Sequence, residues 1–508
     1  MATRRTFIKN LSIGSAALVI GAKSSKASPF ALYEKPQGPY MATGIKIGEV
    51  SDTQAIIWAR LTKDAERVHD DAPQPVILYK NDQTGVFEVK GAKESRPDRE
   101  PKVMYPPGAT ANTLAGAVPA ATGEVRVRWK TPDSHAWQEL PWQPVNLDRD
   151  ATRQFTLNNL TPFKKYELVV EARSTGSNTI TSTMTGSFKT APKKSEQADV
   201  KFVAVTCQEY HDRDHGSKGF KIYESMLRHE PDFFVHTGDV VYYDQQAKSL
   251  ELARWHWQRI YGFPSLVEFH RQVGSYFMKD DHDTWMNDCY PDLKTRFMGD
   301  FTFKDGQQLF LDQVPMGNKT YRTYRWGKDL QIWMVEVRDF RSPNNVPDGP
   351  DKTIWGKEQI DWFKKTVDAS DATFKVLISP TPIVGPDRPQ KVDNHANKVF
   401  YHEGEMLREF IGKQPNMHII NGDRHWQYAS RDQETGLLEF SCGPVSNEHA
   451  GGWKKGEVKE GELYMQVIGG YLEVTVKRTG NQPVIIFAHH DVDGNTVYRY
   501  EQYASGQY

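Results

Sequence analysis

Residues 232–243 read DFFVHTGDVVYY, an apolar run that ends in the polar pair Gly238-Asp239. Other apolar runs also end in polar residues, and they occupy 200–206, 332–335, 374–378 and 418–420. Continuous apolar runs of this length are typical of strands that are buried on both faces. Because ligands of open α/β sheets bind beyond the carboxyl ends of the strands, we expect the polar residues to form a site at that edge.

Helical patterns separate the apolar runs, for example at 221–229 and 358–369. Strands that alternate with helices predict an α/β domain with a buried sheet, which we place at 199–508. The tail, 471–507, returns to alternating strands and is predicted to complete this domain.

The preceding region, from 43 to 190, contains short runs in which apolar and polar residues alternate. This period of two predicts half-buried antiparallel strands and a β-sandwich domain over 40–192. The turn LTPF at 160–163 and the closing stretch GSFKTAP at 186–192 resemble a fibronectin type III-like module. Such folds carry many unrelated functions, so this domain alone indicates no chemistry.

The first 27 residues have the layout of a cleavable export signal. Residues 3–9 read TRRTFIK, a short apolar run follows from 11 to 22, and Ser25-Lys26-Ala27 provides a small-x-small cleavage site. The Arg4-Arg5 pair resembles a twin-arginine signal, so we expect the twin-arginine export machinery as a partner and the periplasm or the extracellular space as the location. A membrane span needs about 20 apolar residues, so no stable span is expected.

Composition excludes several other classes of protein. The chain of 508 residues carries 64 basic and 65 acidic side chains, for a net charge of -1, so charge predicts no binding to nucleic acid. The three cysteines, Cys207, Cys289 and Cys442, are too few and too far apart for a disulfide framework.

Asp239, Asp281, Asp423 and His425 together offer the hard oxygen and nitrogen donors that a metal centre for phosphate esters requires. Taken singly, an aspartate after a strand is more often a helix cap or a turn former. The acidic run at 280–283 has a solvated loop as its alternative explanation.

Five motifs occur in order along the second domain: Cys207-Gln208, Gly238-Asp239 with Tyr242, Asp280-Asp281-His282 with Asn287-Asp288, Arg338 to Ser342, and Gly422 to His425. With these motifs the chain resembles the alkaline phosphatase D family of metallophosphoesterases over nearly the whole mature sequence. The resemblance implies an α/β metallophosphoesterase domain, with a β-sandwich core flanked by helices, preceded by the all-β fibronectin type III-like domain.

The resemblance also implies a set of metal ligands. Cys207, Asp239, Tyr242 and His425 would hold Fe(III), and Asp239 would bridge to a Ca²⁺ shared with Asp281, Asn287 and Asp423; other divalent metals could replace these ions. Thiolate, phenolate and imidazole suit iron(III), whereas carboxylate and amide oxygens suit calcium. For Cys207 the alternative is a small buried residue without a ligand role.

Two further residues have alternative roles. His282 would stabilise the transferring group or protonate the leaving oxygen, or else it donates structurally to a carboxylate. Arg338 would bind the anionic substrate, or else it pairs with Asp339 and other carboxylates. The charged segment 209–215 is longer than the resemblance leads us to expect, and it could contribute ligands or substrate contacts.

These observations predict an exported hydrolase of phosphate monoesters or diesters that uses a metal-activated water. One alternative is a sulfatase that acts on sulfate esters of extracellular polysaccharide. The other is an exported protein that binds carbohydrate or cell wall without catalysis.

Overall fold

Two large mixed β-sheets form the centre of the molecule. The computed structural model describes residues 38–91, 93–454, 456 and 461–505, and the predicted export signal lies outside them. Within this part, strands β1–β24 and helices α1–α6 are numbered along the chain.

The first sheet has nine strands. In spatial order they are β24 (Thr496–Tyr503), β23 (Gln482–Asp491), β22 (Gly470–Thr479), β12 (Val200–Val205), β13 (Phe233–His236), β14 (Gly274–Phe277), β1 (Ile45–Gly48), β2 (Ala55–Arg60) and β9 (Thr152–Leu157). Strands β12, β13 and β14 run parallel, as does β1 beside β14. Antiparallel pairing of β22 with β12 joins the C-terminal tail to this sheet.

The second sheet has seven strands. In spatial order they are β15 (Arg322–Trp326), β16 (Leu330–Met334), β17 (Phe374–Ser379), β18 (Met417–Asn421), β20 (Leu438–Ser441), β19 (Gln427–Arg431) and β21 (Glu462–Gln466). Strands β16, β17 and β18 run parallel.

The two sheets pack face to face through an apolar core. Phe202 and Phe233 of the first sheet share one buried cluster with Ile332 and Val376 of the second. Burial of each apolar side chain of this size contributes about 1.5–3 kcal/mol to the free energy of unfolding. This burial holds the two sheets together.

The outer faces of both sheets are covered by helices. Their bounds are α1 (Lys221–Arg228), α2 (Leu250–Tyr261), α3 (Pro264–His270), α4 (Phe303–Gln313), α5 (Lys357–Asp368) and α6 (Tyr401–Gly412). The first four helices pack on the first sheet, and the last two pack on the second. At the start of α4, Thr302 and Asp305 form a capping box that satisfies backbone donors of the first turn.

Two smaller sheets complete the N-terminal region. One contains β11 (Ile180–Lys189), β10 (Lys165–Arg173), β6 (Glu124–Lys130), β7 (Gln138–Glu139) and β8 (Gln143–Pro144), and the other β4 (Phe87–Val89), β3 (Val76–Lys80) and β5 (Pro101–Met104). The sheet of β6, β10 and β11 packs against β1, β2 and β9 through Val127, Val170 and Ile57.

The structure confirms the predicted architecture in its coarse form. A two-sheet core is flanked by helices, and an all-β region precedes it in the chain. The fibronectin type III-like identity of that region and the boundaries at 40–192 and 199–508 stay predictions. The structure adds that β1, β2 and β9 extend the nine-stranded sheet rather than forming a sheet of their own. Among the described residues, no helix has the length and apolar character needed to cross a bilayer.

Candidate metal centre

Three predicted ligands lie just beyond the carboxyl ends of parallel strands. Cys207 follows β12, Asp239 follows β13 and Asp423 follows β18. All three have a left-handed backbone, with φ of 52°, 57° and 60°. This conformation is uncommon for residues other than glycine, and such residues cluster at functional sites. The strained backbone turns three side chains toward one edge of the core.

Gly422 allows the two sheets to approach each other at this edge. A Cβ atom at this position would collide with the hydroxyl oxygens of Thr206 and Thr237, which follow strands of the other sheet. Because glycine has no side chain, the strands come close enough for the backbone N–H of Asp423 to donate to Thr206 Oγ1 at 3.1 Å. The end of β18 is therefore held directly against the end of β12.

Asp239 lies at the centre of the site and is 1% exposed. Its Oδ2 atom is 3.4 Å from Cys207 Sγ and 3.3 Å from the hydroxyl of Tyr242. Its Oδ1 atom is 3.4 Å from the backbone nitrogen of His282. One carboxylate thus contacts the thiol and phenol on one side and the 280–283 segment on the other.

Several carboxylates crowd around Asp239. Ligand atoms of Asp239, Asp280 and Asp423 lie within 4.8 Å of one another, and so do those of Asp239, Asp281 and His282. Burial raises the pKa of Asp239 well above its ordinary value, and Asp281 and Asp280 add to this shift although His282 opposes it. Asp280 Oδ2 has no hydrogen-bond partner among the described residues. Buried carboxylates in this arrangement are stabilised by a cation.

The thiol of Cys207 leads to the same conclusion. Burial raises its pKa well above the ordinary value, and the neighbouring Asp239 raises it further. Coordination to a metal ion deprotonates a thiol outright and would also compensate the carboxylate charge. The mixture of thiol, phenol and carboxylates therefore fits a metal centre.

His282 is held in a fixed orientation beside the carboxylates. Its Nδ1 atom is 2.7 Å from Asp244 Oδ1, and its ring stacks on Tyr242 with centroids 4.2 Å apart. Asp244 also accepts from Arg96 Nε at 2.8 Å and from the backbone of Asn287 at 3.1 Å. Burial lowers the pKa of His282, but Asp244, Asp281 and Asp239 together raise it well above the ordinary value.

His425 and Asn287 are positioned differently from the other predicted ligands. The His425 ring lies 4.1 Å from the ring of His449, whose Nε2 atom is 2.9 Å from the Tyr242 hydroxyl. Asn287 is half-buried, and its backbone N–H donates to Asp244. The structure thus places both residues beside the centre, and their roles as ligands stay predictions.

Comparison with known proteins identifies the family. The sequence model of the PhoD-like phosphatases matches residues 202–468, which is just over half of the chain and includes Cys207, Asp239, Asp281 and Asp423. The chain belongs to the PhoD-like phosphatase family. The family predicted from the sequence motifs is thereby confirmed, and this PhoD-like phosphatase is a phosphoric ester hydrolase.

Solved structures support the fold of the PhoD-like phosphatase. It is similar to a structure titled as that of PhoD, with 15% identity, a TM-score of 0.65 and coverage of 93% of this chain and 90% of that chain. It is also similar to the purple acid phosphatase PPD1 from yellow lupin, Lupinus luteus, with 10% identity, a TM-score of 0.59 and coverage of 90% and 73%. No curated protein sequence matches the chain.

Of the two roles predicted for Arg338, the structure shows ion pairing. Its side chain is fully buried in the phosphatase, and its guanidinium lies 2.5 Å from Asp280 Oδ1 and 3.3 Å from Asp393 Oδ2. Binding of the anionic substrate by Arg338 stays a prediction. The predicted partner, Asp339, pairs with Lys279 instead, at 2.6 Å.

A cavity of about 390 Å³ opens beside His282 and Tyr242. Its wall includes His256, whose Nδ1 atom is 2.9 Å from a guanidinium nitrogen of the buried Arg259. Because arginine can only donate, His256 Nδ1 is the acceptor and its Nε2 atom carries the hydrogen. That Nε2 atom has no partner among the described residues. His256 therefore forms part of the cavity wall, with its Nε2–H buried rather than open to the cavity.

Sequence reasoning missed several polar residues of the site. Asp393 lies within 4.8 Å of Asp281 and Asp288, yet it comes from the irregular segment between β17 and α6, which has no periodic pattern. His449 contacts Tyr242 and Asp212, and it follows β20 in a loop without a motif. Asp244 could have been found, because it lies two residues after Tyr242 and five after Asp239, close enough for the same turn to bring it to the site.

Proposed function

We propose that this phosphatase is exported and hydrolyses phosphate esters with a metal-activated water. The observation that carries the proposal is the position of Asp239, which contacts Cys207 and Tyr242 through one oxygen and adjoins the Asp281 segment through the other. A carboxylate in this position can bridge two metal ions.

The donor types suggest which residues would hold each ion. Cys207, Tyr242 and His425 would bind Fe(III) together with Asp239, and Asp281, Asn287 and Asp423 would bind Ca²⁺. When bound, such ions polarise the phosphoryl oxygens and lower the pKa of a water so that it can attack phosphorus.

The residues of the chain would supply the remaining steps. Asp244 holds the Nδ1 side of the His282 imidazole, so that the other nitrogen can donate a proton to the leaving oxygen. The cavity beside His282 would receive the leaving alcohol. No covalent link between protein and substrate is needed.

Metal analysis combined with a visible spectrum tests this proposal. We expect bound iron and a coloured protein, because phenolate or thiolate ligands on iron(III) absorb visible light. Removal of metal with a chelator should abolish ester hydrolysis, and the Tyr242→Phe variant should alter the absorption band. Full activity of the metal-free protein would refute metal dependence, whereas a colourless, iron-free but active protein would refute only the Cys207 and Tyr242 assignment.

The alternative functions can be tested with the same preparation. Parallel assays on an aryl phosphate, a bis-aryl phosphate and an aryl sulfate measure the preference directly. The family match favours phosphate esters, and it does not support the non-catalytic carbohydrate-binding or wall-binding alternative. Preferential hydrolysis of the sulfate ester would favour the sulfatase.

Export rests on residues 1–27, whose pattern predicts a twin-arginine signal. Fractionation of cells that produce the full chain should recover a shortened protein outside the cytoplasm. Replacement of Arg4 and Arg5 by lysine should retain the protein inside the cell.

A further inference from the structure

A second group of potential metal ligands lies apart from the phosphatase centre. One ligand atom from each of His229, Glu473 and His490 lies within 4.8 Å of the others. His229 directly follows α1, whereas Glu473 and His490 lie on the neighbouring strands β22 and β23. None of the three belongs to the Asp239 site.

The strand register explains why the two strand residues meet. Tyr471 pairs with His490, and Glu473 pairs with Ala488. Because side chains alternate between the faces of a sheet, Tyr471, Glu473 and His490 all point to one face. His229 reaches this face from the end of α1, and its Nδ1 atom is 2.7 Å from Glu473 Oε2.

His490 is prepared as a metal ligand by its own hydrogen bond. Its Nδ1 atom lies 3.2 Å from the carbonyl oxygen of Gly494, so Nδ1 carries the hydrogen and Nε2 keeps its lone pair. His490 is 3% exposed, and its Nε2 atom has no partner among the described residues. A carbonyl that fixes the other ring nitrogen is the usual arrangement around a histidine ligand.

The surroundings of His490 support this assignment. Tyr471 is fully buried and stacks on the His490 ring at 4.8 Å, and its hydroxyl also lacks a partner among the described residues. Burial lowers the pKa of His490, and Glu473 opposes this shift. His490 Nε2 within the triad and the hydroxyl of the neighbouring Tyr471 thus both lack a partner in the part of the chain that the structure describes.

We infer that His229, Glu473 and His490 bind a divalent transition-metal ion of the Zn²⁺ type. Two imidazoles and one carboxylate suit zinc, whereas calcium and magnesium favour sites made of oxygen alone. Donor atoms of a tetrahedral zinc site stand about 3.4 Å apart. His229 Nδ1 and Glu473 Oε2 are 2.7 Å apart, so these two partly exposed side chains would move slightly apart to admit the ion. A water would take the fourth position.

The ion would connect α1 to β22 and β23. This helix covers the sheet in which β12 leads to Cys207, and its Ser225 already donates to the carbonyl of Val492 after β23. The expected effect is a more stable protein rather than a change in the chemical step.

Zinc content and thermal stability of the full-length protein test this inference. After removal of metals and equilibration with zinc, the wild type should retain about one more zinc per chain than the Glu473→Gln and His490→Gln variants. Zinc at a thousand-fold excess over its Kd should raise the wild-type Tm by about 4 °C more than that of the variants. Phosphoesterase activity with the catalytic metals present should be retained.

His215→Gln is the matched control, because His215 also pairs with a glutamate of α1, Glu224, at 3.2 Å, and among the described residues no third ligand accompanies this pair. It should keep the full zinc content and the full zinc-induced rise in Tm. If the buried His490 variant does not fold, His229→Asn, at a partly exposed position, provides the same comparison. Equal zinc content and equal zinc-induced shifts in wild type and variants would overturn the inference and leave an ordinary histidine–glutamate hydrogen bond.

Discussion

Replacement of Asp244 by asparagine tests whether His282 is held as a proton donor. Asp244 is the acceptor for the His282 ring, for Arg96 and for the backbone of Asn287. An amide has one acceptor oxygen instead of two, so at least one of these donors loses its partner. A hydrogen bond to a charged group contributes about 1.5–3 kcal/mol, so a loss of this size in the transition state slows the reaction roughly 10-fold to 150-fold.

Substrates with different leaving groups separate proton donation from general damage to the site. An alkyl phosphate needs protonation of its leaving oxygen, whereas a nitrophenyl phosphate leaves readily as the anion. For His282→Ala we expect kcat on the alkyl ester to fall by about 10²-fold to 10⁴-fold, with a much smaller loss on the nitrophenyl ester. Asp244→Asn should show the same selectivity with a smaller magnitude, since the histidine is still present.

Glu403→Gln provides a matched control. Glu403 bonds the buried His395 at 2.8 Å in a pair that lies outside the cavity beside His282. This variant should lower stability and leave the ratio of alkyl to aryl hydrolysis unchanged. Equal losses on both esters in His282→Ala would refute proton donation by His282. Fully additive losses in the double variant of Asp244 and His282 would refute the positioning role of Asp244.

Three further outcomes are expected from the packing and the charges. Phe202→Ala removes a ring that stacks on Phe233 at 4.6 Å in the core between the sheets, so urea unfolding should show a loss of about 3–5 kcal/mol, against less than about 0.5 kcal/mol for the exposed Val86→Ala. Gly422→Ala should reduce both Tm and activity, because its methyl group meets the hydroxyls of Thr206 and Thr237; normal values for both would contradict the close approach of the sheets. Burial lowers the pKa of Lys248 to about 7, so between pH 7 and 10 the unfolded chain binds a proton that the native protein does not, and stability rises with pH. Lys248→Met should flatten this rise in urea unfolding at pH 7, 8.5 and 10, and an identical pH profile would show that the lysine is not buried in its neutral form.

Much of the fold could be predicted because its signals are local. The run VKFVAV predicted β12, and the helical pattern near Glu358 predicted α5 within one residue at each end. The pairing of β1 with β14 could not be predicted, because it joins strands that are more than 220 residues apart and depends on packing rather than on either segment.

Only the part of the candidate site that carries local sequence signals could be predicted. Asp239 and Asp423 closely follow apolar strands within recognisable motifs, but β13 and β18 lie in different sheets, so the convergence of these residues depends on how the two sheets pack. Asp393 and His449 lie in irregular loops whose paths are set by tertiary contacts, such as the ion pairs of Asp393 with Arg338 and Lys391. The burial of Arg338 depends on those same loops, so the sequence leaves both substrate binding and ion pairing open for this residue.

The nine-stranded sheet limits how this enzyme can be divided. Strand β1 shields the parallel edge of β14, and Arg96 reaches from the N-terminal region to Asp244. A recombinant fragment that begins at residue 199 would expose the unpaired edge of β14, and such an edge is a template for intermolecular association. The fragment would also lack Arg96, which pairs with the Asp244 that holds His282. Such a fragment should aggregate, and any soluble fraction should hydrolyse alkyl esters poorly. The two regions should therefore be expressed as one unit.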